Sequence, residues 1–524
     1  MKHPPFTRTF ISFAFLEPVH FRLDENMKYL LGFDIGSSSI KAALINAESG
    51  DVLSIVSAPE KEMSIASPRT GFAEQDPEMW WQYVCDCSQQ LVEKHPDVTE
   101  NIVAIGIAYQ MHGLVVIDKK GKVLRPSIIW CDSRAVSTGE EILEKFDSES
   151  FLNAHYNFPG NFTFSKLRWI QQNQPELFEK IDKIMLPGDY IAWKMTGLPR
   201  TSITGLSEGI MWDFEKNEVD KELFTKCGID PELVPEYQPT FSTQGEVDQK
   251  AAAELGIKPG VPVSYRSGDQ PNNAWSLQVN EPGIMAGTGG TSGVLYGISE
   301  KPVIDQSQRT NSFAHVNYTP EKPRIGTLLC INGAGILYSW IRKNVAGQEY
   351  SYTQLENRAA KIQPGSEGIS ILPFGNGAER MLQNKPIQAH ILGLDLNRHQ
   401  QDHLIRAGLE GIGFAFHYGY EIMKELGMTS QILRVGNDNL FQSPIFSQLL
   451  SSLAGITIEV RNATGAVGAA LGAGVGSGYF KSPDEALSSQ EVIQTIEPDQ
   501  KLFNIYQEPY QKWKAELLKK LNAS

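Results

Sequence analysis

A chain of 524 residues exceeds what one hydrophobic core ordinarily supports, which predicts two domains of roughly 200–250 residues each. Apolar residues at 41% and charged residues at 21% give an ordinary globular composition, and no apolar run approaches the ~18 residues needed to span a bilayer. The net charge of −14 argues against nucleic acid or an anionic membrane surface as a partner.

Residues 1–26 carry Pro4, Pro5 and Pro18 and show no period of 2 or 3.6, while Met27 opens Met-Lys-Tyr-Leu-Leu-Gly-Phe-Asp like a natural start. They read as a disordered extension or a misassigned start, too short in apolar core for a signal peptide. A chain beginning at Met27 is therefore expected to match the full chain in melting temperature and activity. A loss of several degrees would show that the extension packs on the core.

The apolar run Tyr29–Phe33 predicts a buried strand, ending at Asp34, Gly36, three serines and Lys41. Such a turn can aim N–H groups and hydroxyls at a phosphate chain. Asp34 would face its Mg²⁺, Gly36 would allow close approach, and Lys41 would add a compact charge. An isolated turn of this kind reads equally well as a plain hairpin tip. It is not a Walker A loop, because no second Gly precedes Lys41. Strands are expected at Leu30–Asp34, Ala42–Asn46 and Val52–Ser57, and a helix at Asp76–His95 opened by Asp76-Pro77. Cys85-x-Cys87 falls in that helix without a matching Cys or His pair, which argues against zinc. Five scattered cysteines (Cys85, Cys87, Cys131, Cys227, Cys330) fit a reducing cytoplasm.

Further strands are expected at Ile102–Ala108 and Val115–Asp118. Gln110-Met111-His112-Gly113 follows the first of these, and Trp130-Cys131-Asp132-Ser133-Arg134 follows Ser127-Ile-Ile. Both place hydrogen-bonding groups just beyond strand ends, where α/β sheets hold ligands. With an aromatic wall, they suit a polyhydroxylated substrate. A lone His in such a place is more often structural. Residues 140–240 read as mostly helical, a cap or substrate-side subdomain. Gly260–Gly268 reopens the strand pattern and leads to Asp269-Gln270-Pro271 at the junction of the two halves. A carboxylate there could accept the proton of an attacking hydroxyl, or simply cap the helix around Asn272–Leu277.

A second hydroxyl-rich turn, Gly287-Thr-Gly-Gly-Thr-Ser-Gly293, lies between Ile284-Met285-Ala286 and Val294-Leu295-Tyr296. Two such hairpins suggest a duplicated nucleotide-binding domain with ATP in the cleft between the copies. Ser292 occupies the place of the last Gly in G-x-G-x-x-G, which disfavours a dinucleotide site. Helical patterns follow at Arg406–Leu426, Pro444–Leu453 and Tyr506–Leu521. The loop Gly436-Asn437-Asp438-Asn439 follows a strand at Gln431–Arg434 and suits a purine or ribose. The run Gly465-Ala-Val-Gly-Ala-Ala-Leu-Gly-Ala-Gly-Val-Gly reads as a tightly packed helix.

Together these segments resemble the FGGY carbohydrate kinases, in order from Tyr29 to about Phe480, and among them the kinases of xylulose. Asn161-Phe-Thr-Phe-Ser-Lys166-Leu-Arg-Trp169-Ile resembles the family's first signature, and Arg406-Ala-Gly-Leu-Glu410-Gly-Ile-Gly-Phe its second. The resemblance implies an α/β fold of two actin-like (ribonuclease H-like) ATPase domains with a cleft between them. Residues 27–275 would form the sugar side and 276–524 the nucleotide side. It implies ATP-dependent phosphorylation of a sugar, with D-xylulose at O5 as the expected acceptor and Mg²⁺ accompanying ATP. Ribulose, gluconate or a deoxysugar is the alternative within the family, and a non-catalytic actin-like ATP-binding regulator is the alternative outside it. Asp34 would orient Mg·ATP, and Asp269 would be the base. Gln110, Met111, His112, Asp132, Arg134 and Gln270 would line the sugar site. Gly36, Ser37, Ser38, Lys41, Gly289, Thr291 and Ser292 would hold phosphates, and Trp340, Gly436, Asn437 and Asn439 would border adenosine. A cytoplasmic location follows, and a homodimer stays open. The chain departs from the family pattern at Asn161, at Gln270 and in the loop Gly436–Ser443, which reads Gly-Asn-Asp-Asn-Leu-Phe-Gln-Ser.

Overall fold

The computed structural model describes residues 27–377 and 379–523. The segment 1–26, and the expectation placed on it, lie outside the described residues. Apolar runs closed by Gly and hydroxyl turns form the first sheet. Tyr29–Ile35 (β1), Ile40–Asn46 (β2) and Val52–Ala58 (β3) make an antiparallel meander. Ile102–Tyr109 (β4) pairs parallel with β1. Phe241–Glu246 (β5) is the edge strand, antiparallel to Pro262–Gly268 (β6), which runs parallel to β4. The order is β5–β6–β4–β1–β2–β3.

The second half repeats this wiring. Ile284–Gly289 (β7) and Gly293–Ser299 (β8) form a hairpin, and Asn311–Ala314 (β9) and Ile325–Ile331 (β10) extend it antiparallel. Ile432–Gly436 (β11) and Thr457–Arg461 (β12) add parallel strands, and Val492–Ile496 (β13) closes the edge antiparallel. The order is β9–β10–β8–β7–β11–β12–β13. With β9 set aside, each sheet is a three-strand meander, two parallel strands and one antiparallel edge strand. The expected duplication is present as an α/β fold.

Helices cover the sheets. Pro77–Lys94 starts where expected, with the Asp76 carboxylate accepting from the Glu78 N–H at 3.0 Å. The region expected to be helical holds Val136–Leu143, Ser148–His155, Thr163–Asn173, Pro187–Thr196 and Ile203–Glu208, with short strand pairs between them. In Gln401–Glu425 the second signature builds a buried ion pair, with Arg406 Nε 2.8 Å from Glu410 Oε1. No helix among the described residues is long and apolar enough to cross a membrane.

The glycine-rich helix Gly465–Gly476 belongs to the second half by sequence but packs on β1, β4 and β6 of the first sheet. Its fit depends on missing side chains. A Cβ on Gly32 of β1 would stand 2.0 Å from Ala466 O, and one on Gly106 of β4 would stand 1.9 Å from Ala469 O. The contact is pinned by Trp275 Nε1 donating to Gly468 O at 2.9 Å and Ser264 Oγ donating to Ala473 O at 2.8 Å. The two halves therefore share a core.

Candidate active site

Asp34, Gln110 to His112, Asp269, Gly289 and Gly436 stand at or just beyond the carboxyl ends of β1, β4, β6, β7 and β11, the ends at which open α/β sheets take ligands. Asp34 is in the last turn of β1 and pairs across the hairpin with Lys41. The turn between β1 and β2 is closed by the Gly36 N–H donating to Ser39 O at 3.2 Å. Gln75 Nε2 donates to Ser37 O at 2.7 Å, and Trp130 Nε1 donates to Ser37 Oγ at 3.3 Å. Ser38 and Lys41 are exposed. On the other side, Gly289 ends β7, and the turn Gly290–Ser292 rests on helix Gly335–Ile341. The N–H groups of Gly335 and Ile336 donate to Gly290 O and Thr291 O, both at 3.1 Å. Trp340 projects from that helix, half exposed.

Gly436 ends β11, and the Asn437 N–H donates to Arg461 O at 2.9 Å. Asn437 and Asn439 are exposed, and Asn439 adopts φ 50°. Burial raises the Asp438 carboxyl, and the Lys41 charge opposes that rise.

Two acids meet at the start of the glycine-rich helix. Asp269 is the first residue of helix Asp269–Ser276, directly after β6. One turn on, Asn272 Nδ2 donates to Gly465 O at 2.9 Å. A Cβ on Gly465 would stand 2.5 Å from Asp34 Oδ2, so the start of this helix lies against Asp34. Burial, then the Asp34 charge, pushes the Asp269 carboxyl up to about 7, and hydrogen bonds from Gln270 work against this. Asp34 is also raised by burial, with Lys41 opposing.

The sugar-side residues continue from β4. The Gln110 N–H donates to Ile35 O at 2.9 Å, and its Nε2 donates to Gln75 Oε1 at 3.2 Å. Its buried Oε1 receives no hydrogen bond among the described residues. Met111 packs on Gly268, where a Cβ would come within 2.7 Å of Met111 Cγ. His112 takes the left-handed conformation, φ 61°, and is held from three directions. Its N–H donates to Glu208 Oε1 at 3.2 Å, and its carbonyl accepts from Lys166 Nζ at 2.7 Å. Its Nδ1 lies 3.1 Å from the Glu208 carbonyl oxygen, an acceptor, so Nδ1 carries the hydrogen and Nε2 the lone pair. Burial pushes the imidazole down to about 3, keeping it neutral, and pushes the Lys166 ammonium down to about 7. Phe162 and Phe313 flank the ring, with centroids 4.8 and 5.4 Å away.

Asp132 and Arg134 are turned toward each other. Asp132 accepts from the Ala73 N–H at 2.6 Å and from Arg134 Nη2 at 2.7 Å. Arg134 also pairs with Glu74 at 2.7 Å and covers the Phe72 ring, 3.7 Å from its centroid. This buried pair braces the wall that carries half-exposed Trp130. Sequence reasoning missed Gln75, Glu208, Phe313 and Arg380. It quoted Phe162 and Lys166 without a role. None of the missed residues sits in a periodic or glycine-rich pattern.

The sequence pattern of the FGGY family of carbohydrate kinases, N-terminal domain, matches residues 29–274, and that of its C-terminal domain matches 285–477. The xylulose kinase of Bacillus subtilis (strain 168) is 27% identical over 500 residues, covering 92% of this chain and 97% of that protein. The crystal structure of xylulose kinase from Rhodospirillum rubrum superposes with a TM-score of 0.81 at 26% identity, covering 94% of this chain and 99% of that one. Gluconate kinase from Lactobacillus acidophilus superposes with a TM-score of 0.83 at 21% identity, over 95% and 99% of the two chains, a likeness of fold. Two matched domains in the family's order, on a duplicated sheet, leave one conclusion: the chain belongs to the FGGY family of carbohydrate kinases and is an ATP-using sugar kinase.

Proposed function

We propose that the chain transfers the γ-phosphoryl group of ATP to O5 of D-xylulose, with Asp269 as general base. Residues 27–275 supply the sugar side and 276–524 the nucleotide side. The observation that carries this reading is Asp269 itself. Its carboxyl is raised to about 7 by burial and by the Asp34 charge, and Gly268, just before it, packs on Met111. A base poised near neutrality can take the O5 proton as that oxygen attacks the γ-phosphorus and ADP leaves. The neutral His112 accepts a sugar hydroxyl at Nε2, and the free Gln110 Oε1 offers a second acceptor. Asp132, Arg134 and Gln270 hold the wall and the base. Phosphates lie along the turns that carry Gly36, Ser37 and Ser38 and Gly289, Thr291 and Ser292, with Lys41 nearby and Gly36 leaving room for close approach. Adenosine lies against Trp340, Gly436, Asn437 and Asn439. Asp34 fits a Mg²⁺ that arrives with ATP, because it is a half-buried carboxylate whose charge reaches a second acid, Asp269, with Lys41 as its opposing charge. When bound, that ion neutralises charge on the β- and γ-phosphates. All five cysteines are free thiols, which suits a reducing cytoplasm.

A sugar panel with coupled ADP detection tests the reading. D-Xylulose is expected to turn over fastest; faster turnover of ribulose, gluconate or a deoxysugar would reassign the acceptor. ATP binding without sugar-dependent turnover would favour the regulator.

Domain closure supplies a second test. ATP bridges hairpins of both halves, and closure expels water that competes for the γ-phosphate. Gly268 and Glu281–Gly283, with Gly283 at φ 98°, are the expected hinge. Sugar plus a non-hydrolysable ATP analogue should lower the radius of gyration in small-angle scattering. An unchanged radius with both ligands bound would count against closure.

A further inference from the structure

The second half also reaches the sugar side. Strand β9 of that half is stitched to the helical region of the first. Asn157 Oδ1 accepts from the Ser312 N–H at 2.8 Å, and Ser207 Oγ accepts from the Ala314 N–H at 3.0 Å. Alternate residues of a strand share a face, so Asn311 and Phe313 point the same way. Phe313 meets the His112 ring. Asn311 Oδ1 accepts from Arg380 Nη1 at 2.8 Å. Arg380 is therefore delivered to the His112 end of the site. Its neighbour Glu379 anchors the segment by accepting from the N–H groups of Asn332 and Gly333, at 2.9 and 3.1 Å.

Among the described residues the Arg380 guanidinium forms no ion pair, and Asn311 is its one hydrogen-bond partner. Burial lowers the guanidinium, and its charge bears on both His112 and Cys330. A half-buried guanidinium with most of its five N–H donors unused is costly unless a ligand accepts from it.

We propose that Arg380 is a specificity-determining residue that donates to the C2 carbonyl oxygen of an open-chain ketose, while His112 Nε2 accepts from the adjacent C1 hydroxyl. The inference rests on the ketopentose reading above, which places O5 at Asp269 and so turns the other end of the sugar toward His112. A guanidinium only donates, and the carbonyl is the one oxygen of a ketose that only accepts. Beside it, the Nε2 lone pair requires a hydrogen from the ligand. An α-hydroxyketone satisfies both groups. An aldonate presents the same pair, a carboxylate oxygen beside the C2 hydroxyl, so the two groups discriminate against polyols rather than aldonates: a polyol offers a hydroxyl where the carbonyl belongs.

The test compares kcat/KM for D-xylulose and for xylitol, which differs by reduction of that carbonyl, in the wild type, R380M and R380K. R380M is expected to lose roughly 10- to 100-fold on D-xylulose, the value of a hydrogen bond to a charged donor, and less than about 3-fold on xylitol. R380K keeps the charge without the planar fork and should fall between. The KM for ATP should not change. If R380M does not fold, the same comparison in R380K decides. Equal losses on both sugars, or no loss on D-xylulose, would overturn the assignment. A wild-type chain that ignores D-xylulose would remove the ketopentose reading itself, and this inference with it.

Discussion

Asp269→Asn is expected to lower turnover by a factor on the order of 10²–10⁴ while leaving ATP affinity nearly unchanged. The amide keeps the size and one hydrogen-bonding oxygen of the carboxylate but cannot take up the proton of the attacking hydroxyl. In the wild type, kcat/KM should rise with pH through about 7, because the base works only when ionised and its carboxyl sits near that value. The variant should lack this limb. Stability should move the opposite way. A carboxyl raised in the folded state binds its proton more tightly there than in the unfolded chain. Folding stability therefore falls as pH climbs from about 4 to about 7. Asp269→Asn removes that slope, so its melting temperature should exceed the wild type's at pH 8 and match it near pH 4. Turnover within threefold of wild type would sink the base assignment.

Gly106→Ala should be among the most damaging single-methyl additions in the molecule. The new Cβ would stand 1.9 Å from Ala469 O, 2.6 Å from that carbonyl carbon and 3.2 Å from Ala473 Cβ. Neither partner can step aside. β4 is clamped between β1 and β6, and the helix is pinned by Trp275 and Ser264. Overpacking against backbone should cost roughly 3 kcal/mol or more, read by denaturant unfolding. Turnover of the folded fraction should drop as well, because moving this helix moves Gly465 away from Asp34 and Asn272. A midpoint within a few tenths of molar denaturant of wild type would overturn the account of the shared core.

The strands that carry chemistry were legible because each is a buried apolar run stopped by residues that cannot continue it. Asp34-Ile-Gly at the end of β1 and the turn after Gly289 are examples. The glycine-rich helix was legible from small residues at helical spacing, though not that it crosses to the other half's sheet. Strands β5, β9, β10, β12 and β13 were missed, and the edge strands β5 and β9 show why. Phe-Ser-Thr-Gln-Gly-Glu and Asn-Ser-Phe-Ala have no alternation to read, and pairing with β6 and β10 creates them. The candidate site divides similarly. Asp269 and His112 stand in short motifs at strand ends, where local pattern and topology agree. Glu208, at the last position of its helix, gains meaning only when Gly268 and His112 are brought against it. Arg380 has no local signal, since β9 determines what it faces. Asp132 and Arg134 show the reverse. Their motif is conspicuous, yet their charges are spent on each other and on Glu74.

The crossing of helix Gly465–Gly476 onto the first sheet also bears on how the protein is made. β1, β2 and β4 leave the ribosome early, with Leu30, Ala43, Ala104 and Ala108 on a face that this helix and its neighbours cover. The covering segment is encoded more than three hundred residues later. At roughly 5–20 residues per second, that apolar face waits some tens of seconds during synthesis before its partner emerges. The nascent first half is thus a natural client for chaperones, and slow codons placed before residue 465 would lengthen its exposure.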